Sequence, residues 1–249
     1  MAGQRRLFPM FTEISNKSGE KLDYSFHPGA EGTRQIVVLG HGVTGNKDRP
    51  FVMALAEGLA AAGRHVLRFS FAGNGTSGGR FVDSTISKEV EDLTAVLDAL
   101  ADYEICYVGH SMGGAVGVLA AERDERVKLL VSLAGMVHTE AFAVREFGEV
   151  TPDQGCMWDE PDCPLSQAYM DDMAQIGTVV ERGAEIGVPW LLVHGTEDDV
   201  VPIEDSRDIL VKASDKAELF VIEGADHVFS EHADALVDKV TSWVGSQWR

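Results

Sequence analysis

Residues 109–113 have the sequence Gly-His-Ser-Met-Gly, a G-x-S-x-G pattern typical of a serine held on a sharp turn between a strand and a helix. The flanking glycines remove side chains that would collide inside such a turn. An apolar run at 105–108 precedes the motif, and a helical pattern follows it. The sequence therefore predicts Ser111 as a nucleophile rather than as an ordinary serine at the start of a helix.

A serine hydroxyl is a weak nucleophile until a neighbouring base accepts its proton. His227 ends the segment Gly-Ala-Asp-His, directly after the last predicted strand, where it can reach the same sheet edge as Ser111. His232 is the nearest alternative, but it lies at the opening of the final predicted helix. We predict His227 as the general base.

A third group must hold the imidazole in the correct tautomer and stabilise its positive charge. Two aspartates, Asp198 and Asp199, follow the predicted strand at 190–194, with Glu197 just before them. We predict Asp198 as the orienting acid and the two neighbouring carboxylates as solvated groups. Asp199 remains the alternative, one position away.

The negative oxygen of an acyl-transfer intermediate needs two fixed hydrogen-bond donors. The backbone N–H of Met112 is one candidate, because it begins a helix whose dipole also favours negative charge. The second donor should come from the loop after the first buried strand, at 40–46. We predict the backbone N–H of Val43 in that role.

The elements that must position these residues alternate along the chain. Strands are predicted at 33–40, 65–71, 104–108, 128–133, 188–193 and 217–222. Helices are predicted at 48–62, 87–100, 112–123, 168–186, 203–212 and 231–248, with Ser87 as the N-cap of the second. This alternation predicts a mostly parallel sheet covered by helices on both faces. A leading antiparallel hairpin is expected at 10–15 and 22–27.

The connection between the strands at 128–133 and 188–193 is longer than one helix and two loops require. Residues 136–167 are surplus, and an insertion of that length is usually functional, so we predict a small cap. A mobile surface loop without substrate contact is the alternative. Three residues are candidate substrate contacts: His110, Met136 and Trp158. The apolar side chains of the cap line an acyl pocket or form the cap's own core: Met136, Phe142, Phe147, Met157 and Trp158.

Charge and composition narrow the classes of function. The 249 residues carry 40 acidic and 21 basic side chains, a formal charge of −19. Such a surface disfavours binding to nucleic acid, anionic membranes and strongly anionic substrates, although a local cleft can override the global field. The chain shows no signal-peptide pattern and no apolar run long enough to span a bilayer, so a soluble, cytoplasmic protein is expected.

The cysteines and the second glycine-rich segment carry weaker signals. Cys106 lies in an apolar strand pattern and is expected in the core. Cys156 and Cys163 lack a histidine at ligand spacing, so we expect no metal site and favour an unlinked pair over a disulfide. Residues 73–79 are rich in glycine but lack the Lys-Ser/Thr ending of a phosphate-binding loop, which indicates a turn.

Four segments together resemble the α/β-hydrolase superfamily, and within it the bacterial carboxylesterases of the cinnamoyl/feruloyl esterase and serine aminopeptidase-like group. The segments are 41–47 (His-Gly-Val-Thr-Gly-Asn-Lys), 109–114 (Gly-His-Ser-Met-Gly-Gly), 194–202 (His-Gly-Thr-Glu-Asp-Asp-Val-Val-Pro) and 224–227 (Gly-Ala-Asp-His). The resemblance implies an α/β fold with an eight-stranded sheet, catalysis through an acyl-enzyme, and no cofactor. The chain order Ser111, Asp198, His227 is the order of that fold.

One segment departs from the resemblance. Residues 71–78 have the sequence Phe-Ala-Gly-Asn-Gly-Thr-Ser-Gly, where relatives often carry Arg-Gly-His-Gly-x-Ser. The glycines of the turn are kept, but its polar contacts must differ. Residues 136–167 also match no cinnamoyl esterase cap convincingly, so specificity for aromatic esters does not carry over.

The sequence thus predicts one domain over residues 1–249 that acts as a carboxylesterase on small or medium acyl esters. A thioesterase, an amide or peptide hydrolase and a lysophospholipase-type lipase use the same groups and remain alternatives. Serine at position 111 argues against haloalkane dehalogenase and epoxide hydrolase chemistry, which needs a carboxylate nucleophile. A ligand-binding receptor on the same fold is the non-enzymatic alternative. The oligomeric state stays open.

Overall fold

The computed structural model describes residues 13–213 and 215–248. Within them, seven strands form one sheet: β1 (Tyr24–His27), β2 (Gln35–Gly40), β3 (His65–Phe69), β4 (Glu104–His110), β5 (Val127–Leu133), β6 (Trp190–Gly195) and β7 (Ala217–Ile222). Their spatial order is β1-β3-β2-β4-β5-β6-β7. Strand β1 pairs with β3 in antiparallel orientation, and every other pair in this part of the chain is parallel. The predicted α/β architecture is therefore confirmed.

The described ranges also contain seven α-helices, of which the first six lie between strands and the last follows β7: α1 (Pro50–Ala61), α2 (Ile86–Ala99), α3 (Met112–Ala121), α4 (Thr139–Phe147), α5 (Gln167–Ile176), α6 (Ile203–Lys212) and α7 (Ala233–Gln247). Short 3₁₀ helices occur at Phe81–Asp83, Met157–Asp159 and Val180–Glu185. None of the helices in the described ranges is long and apolar enough to cross a membrane.

The sheet has a hydrophobic core on each face, because successive side chains of a strand point to opposite sides. Val37 and Val108 pack on one face with apolar residues of α1 and α7. Ile36 and Tyr107 pack on the other face with residues of α2, α3 and the β5–β6 segment, which we define as residues 134–189. Burial on both faces explains why these strands are continuous apolar runs. Cys106 lies in the first core, where burial raises the pKa of its thiol.

The strand count differs from the eight expected. Half of the first strand of the predicted hairpin, at 10–15, lies outside the described residues. In its described part, Ser15 forms a single antiparallel bridge with Lys21 instead of a strand. The second half of the hairpin shortens to β1, which pairs with β3.

Two predictions about helix ends are wrong. Helix α2 is capped by Thr85, whose extended backbone lets its hydroxyl accept the Lys88 N–H at 3.1 Å. Ser87 lies inside the helix, and its hydroxyl instead donates to Asp172. The helix expected at 168–186 is divided because Gly177 adopts a left-handed φ of 65°, which ends α5 and leaves a separate 3₁₀ helix.

Candidate active site

Ser111 sits on the turn between β4 and α3, with φ 53° and ψ −118°. A non-glycine residue adopts such a conformation only when its surroundings enforce it. The turn is tight: a Cβ on Gly109 would lie 2.0 Å from the carbonyl oxygen of Gly113. The Ser111 N–H donates to the carbonyl of Leu133 at 2.9 Å, which ties the turn to the end of β5. The predicted turn geometry is therefore present.

His227 and Asp198 come together at the same edge of the sheet. The Nδ1 atom of His227 donates to Oδ2 of Asp198 at 2.8 Å. The other oxygen, Oδ1, accepts the backbone N–H groups of Val200 at 3.0 Å and Val201 at 2.8 Å. Asp199 is exposed to solvent. The structure thus pairs the imidazole with Asp198 rather than with its neighbour.

The carboxylate of Asp198 is held in its ionised form. Burial alone would raise its pKa, but hydrogen bonds from His194 and His227, the charge of His227 and the Val201 N–H outweigh that effect. The pKa of Asp198 therefore lies well below its usual range. An ionised acceptor keeps the proton of His227 on Nδ1.

His194 is a positioning residue that the sequence analysis did not single out. Its Nε2 lies 2.9 Å from the carbonyl oxygen of Val201 and 3.3 Å from Oδ2 of Asp198. Since a carbonyl only accepts, Nε2 carries the proton, and Nδ1 accepts from the Ser206 hydroxyl at 2.7 Å. The imidazole is fully buried. Its place at the end of β6, in the segment that also carries the aspartate, was the available signal.

Backbone contacts hold the loops of Asp198 and His227 against each other. The N–H of Glu197 donates to the Ala225 carbonyl at 3.0 Å, and the Gly224 N–H donates to the Thr196 hydroxyl at 2.8 Å. A Cβ on Gly195 would lie 2.1 Å from the Ala225 oxygen. This close approach of backbones requires glycine, and it fixes the position from which the imidazole is presented.

The loop after β2 lies directly beside Ser111. A Cβ on Gly42 would lie only 2.7 Å from the Cβ of Ser111. The next residue, Val43, lines the same cavity as the serine. Met112 is the first residue of α3, so its N–H has no acceptor within the helix. The structure therefore brings both predicted donor residues close to the serine.

The buried ring of His41 holds the loop after β2 through two hydrogen bonds. Its Nε2 accepts the Phe71 N–H at 3.0 Å, and its Nδ1 therefore donates to the Gly42 carbonyl at 2.8 Å. Burial lowers the pKa of His41 to about 4, so the ring is neutral at neutral pH. The residue connects the loop after β2 with the chain that follows β3.

His110 contacts the backbone of the predicted base. Its Nε2 donates to the carbonyl oxygen of His227 at 2.8 Å, and the two rings lie 4.7 Å apart. Phe51 packs on the same imidazole, also at 4.7 Å between centroids. Burial and the neighbouring His227 lower the pKa of His110 to about 3. The side chain is thus a neutral hydrogen-bond donor.

A cavity of about 310 Å³ opens above these groups. Ser111, His227 and His110 line it, and Trp158 reaches it from the β5–β6 segment. Met136 is fully buried outside this lining, and its N–H donates to the Ser111 carbonyl at 3.1 Å. Two of the three candidate substrate contacts therefore line the cavity, and the third supports the turn.

The other apolar residues of the β5–β6 segment form a core. Phe142, Phe147 and Met157 are buried. Phe147 packs edge-on against Trp158, with ring centroids 4.9 Å apart.

All three cysteines of the chain carry free thiols. Within the described ranges, no group of three or more His, Cys, Asp or Glu side chains could hold a metal ion.

The segment that departs from the resemblance forms a turn after β3. Gly73, at φ 82°, donates its N–H to the Gly78 carbonyl at 2.8 Å. A buried carboxylate from α2, Asp92, accepts the Ala72 N–H at 2.7 Å. The turn is thus kept, with polar contacts of its own.

A family model described as the alpha/beta hydrolase fold matches residues 35–162, about half of the chain. The protein belongs to the alpha/beta hydrolase family, as the fold and the sharp turn at Ser111 indicate.

Relatives within that family are hydrolases of several kinds. The chain is 25% identical over 215 residues to human palmitoyl-protein thioesterase ABHD10, mitochondrial, covering 77% of this chain and 69% of that protein. It is 29% identical over 252 residues to a monoacylglycerol lipase of Mycolicibacterium smegmatis, covering 86% and 89%. Among solved structures, Est1E from Butyrivibrio proteoclasticus with bound ferulic acid superposes with a TM-score of 0.85 at 26% identity, covering 95% and 98%. These esterase, thioesterase and lipase relatives support the conclusion that this protein is a hydrolase.

Proposed function

We propose that this protein is a serine carboxylesterase that cleaves small or medium acyl esters through an acyl-enzyme on Ser111. One observation carries the proposal: the strained serine turn and the imidazole that pairs with Asp198 at 2.8 Å line the same cavity. The esterase and lipase relatives support it. A receptor that binds without turnover has no need of a serine beside a carboxylate-oriented imidazole.

The tautomer of His227 suits it to act as a base toward Ser111. Its Nδ1 proton is donated to Asp198, so Nε2 carries the lone pair that accepts the serine proton. The Ser111 oxygen then attacks the ester carbonyl, and the resulting imidazolium is stabilised by the Asp198 carboxylate. The carbonyl oxygen becomes an oxyanion in this step.

The N–H groups of Met112 and Val43 are our candidates for binding that oxyanion. Both are backbone donors that need no reorganisation during the reaction. His227 next gives its proton to the leaving alcohol, and the acyl group remains on Ser111. A water molecule, which gives a proton to His227, then attacks the acyl group in the same way. The acid is released, and His227 returns the proton to Ser111.

We further propose that residues 136–167 act as a small cap over the acyl side of the site. Trp158 supports this proposal, because it belongs to that segment and lines the cavity, and Phe147 packs against it. The cavity of about 310 Å³ lies at the small end of ligand pockets, in agreement with short acyl groups.

A thioesterase is the second candidate, and the human relative of that name favours it. The same nucleophile, base and oxyanion donors would cleave a thioester, since only the leaving atom changes. The cytoplasmic location remains a prediction from the sequence; the human relative is mitochondrial by name.

The test is hydrolysis of p-nitrophenyl esters from acetate to octanoate, methyl ferulate and the matching acyl thioesters. Wild type is compared with Ser111→Ala and with a control, Ser242→Ala, on the exposed surface of α7. Loss of kcat by about 10³-fold or more in Ser111→Ala alone supports the proposal. Comparable kcat in wild type and Ser111→Ala, or no turnover by wild type, contradicts it. The ratio of ester to thioester turnover separates the two candidates.

A further inference from the structure

The residues that line the cavity above Ser111 carry a positive charge, whereas the protein as a whole has a formal charge of −19. The chain carries 40 acidic and 21 basic residues, yet no Asp or Glu of the described ranges lines this cavity. Arg49 is its one permanently charged lining residue in that part of the chain. An anion that the whole surface repels would therefore meet a local cation here.

A second cavity, of about 410 Å³, adjoins the first. The two share Arg49, Phe51 and Val228 as lining residues, so Arg49 lies where they meet. Phe229 and Ala54 make the second cavity mostly apolar, and again no carboxylate of the described residues lines it. Together the two cavities offer a longer binding groove with one cation near its middle.

The guanidinium of Arg49 is positioned but not neutralised. Its Nη2 donates to the carbonyl oxygen of Thr44 at 3.0 Å, within the loop that carries Val43. It makes no ion pair with a carboxylate of the described residues. The adjacent Asp48 is engaged by Lys47 and Arg68. Arg49 therefore keeps N–H donors for a ligand, and its planar group suits a carboxylate or a phosphate.

Two further observations favour an anion at this position. Arg49 precedes Pro50, the first residue of α1, so the positive end of that helix dipole points toward the same place. Burial is the main cause of the lowered pKa of His41, and the positive charge of Arg49 lowers it further, as expected for a cation near this loop.

The second cavity lies beside the residues that follow the proposed base. Val228 and Phe229 follow the proposed base directly in the chain, and no residue of the segment 136–167 lines this cavity. In acyl transfer the leaving oxygen or sulfur must lie next to the imidazole that protonates it. The portion of the substrate attached to that atom would then extend past Val228 toward Arg49.

Building on the proposed hydrolase function, we propose that Arg49 is a specificity-determining residue that binds a carboxylate or phosphate on the alcohol or thiol portion of the substrate. That portion leaves when Ser111 is acylated. The apolar walls formed by Phe51 and Val228 would contact the carbon chain between the ester and the anion. The natural substrate class is thus an acyl ester or thioester of an anionic alcohol or thiol.

The test uses three butyryl esters that share the acyl group and differ in the alcohol: 1-propanol, 3-hydroxypropanoate and 2-hydroxyethyl phosphate. For each enzyme, kcat/KM of both anionic esters is divided by kcat/KM of the propyl ester. The variants are Arg49→Gln, Arg49→Lys and a charge-matched control, Arg207→Gln, on the exposed face of α6. Hydrolysis of p-nitrophenyl butyrate and the melting temperature report whether each variant is folded and active.

We expect wild type to prefer at least one anionic ester. That ratio should fall by about 10- to 100-fold in Arg49→Gln, mainly through KM, and less in Arg49→Lys. The control should keep the wild-type ratio. The ester whose ratio falls identifies the carboxylate or the phosphate as the ligand.

Wild-type ratios near one, or ratios that Arg49→Gln leaves unchanged while p-nitrophenyl butyrate is hydrolysed, would overturn this inference and leave the esterase proposal standing. No hydrolysis of any ester by wild type would instead overturn the esterase proposal, and this inference with it.

Discussion

The Nε2 atom of His110 lies 2.8 Å from the carbonyl oxygen of His227, so the residue before the proposed nucleophile holds the backbone of the proposed base. The imidazole rings are in contact as well, at 4.7 Å. The strand that presents Ser111 thus also positions its partner. This contact joins the end of β4 to a loop that is far away in the chain.

The first prediction concerns this contact. His110→Phe keeps a ring of similar size but removes the hydrogen bond to the carbonyl of His227. We expect kcat for p-nitrophenyl butyrate to fall about tenfold with little change in KM, because misplacing the base affects the transition state more than binding.

His65→Phe is the matched control for that substitution. His65 is the buried first residue of β3, at the edge of the sheet away from Ser111, and its ring accepts one backbone N–H, from Gly29 at 2.9 Å. It should lose stability without losing kcat. A wild-type kcat in His110→Phe would show that the contact does not position the base.

The second prediction separates the two adjacent aspartates. Asp198→Asn should lower kcat by about 10²- to 10⁴-fold, because an amide cannot stabilise the imidazolium and does not enforce the Nδ1 proton. Asp199→Asn is its control and should keep kcat, since that side chain is exposed. The measurement is steady-state kinetics on one ester. A severe loss of kcat in Asp199→Asn with a mild loss in Asp198→Asn would show that the orienting acid is Asp199 and that our assignment is wrong by one position.

The third prediction concerns the close approach of Gly42 to Ser111. Gly42→Ala places a methyl group 2.7 Å from the serine Cβ, so the loop that carries Val43 must move. We expect kcat to fall at least about tenfold, since the donor geometry is lost while the fold remains.

Gly245→Ala is the control for the loop substitution. A Cβ at this position in α7 meets open space. Alanine inside a helix should therefore leave kcat unchanged and raise the melting temperature slightly. Equal kcat values in the two alanine variants would argue against an oxyanion role for the loop after β2.

The fourth prediction concerns pH and Glu89, a carboxyl group fully buried on α2. Burial, together with the negative charges of Asp92 and Asp172, raises the pKa of Glu89 well above its ordinary 4.5, and its Oε2 has no hydrogen-bond partner in the described structure. The folded protein therefore holds this proton at pH values where the unfolded chain has released it. Stability from this group is consequently lost as the pH rises above about 4.5 toward the raised value.

Glu89→Gln cannot titrate, so we expect its melting temperature to improve relative to wild type as the pH is raised from 5 to 8. Glu91→Gln, at an exposed position two residues later, should show a constant difference from wild type. Thermal unfolding of the three proteins across that range is the measurement. A difference between Glu89→Gln and wild type that does not change with pH would contradict the raised pKa.

Much of this fold was predictable from local sequence. The strand and helix alternation, the two-sided burial of the sheet and the turn at Ser111 follow from runs of consecutive residues. Continuous apolar stretches such as 36–40 are typical of strands buried on both faces, and the glycines around the serine allow the chain to turn sharply there. Family membership follows from the same short segments.

Helix ends and the strand count were harder to predict because they depend on competition between neighbouring groups. Thr85 and Ser87 are both good capping residues, and the backbone conformation of Thr85 decided between them. Gly177 was compatible with a position inside a helix or at its end, and its φ of 65° makes it an end.

The contacts of the site were decided only by the tertiary structure. The sequence predicted no positioning role for His41, His110 or His194, yet each uses a ring nitrogen to hold a loop that carries a proposed functional group. The positive charge that Arg49 gives to the cavity lining likewise could not be predicted from a formal net charge of −19. Spacing along a chain determines which loops reach one edge of a parallel sheet. The directions of their side chains depend on hydrogen bonds and packing between loops distant in sequence, and these exist only once the sheet has formed.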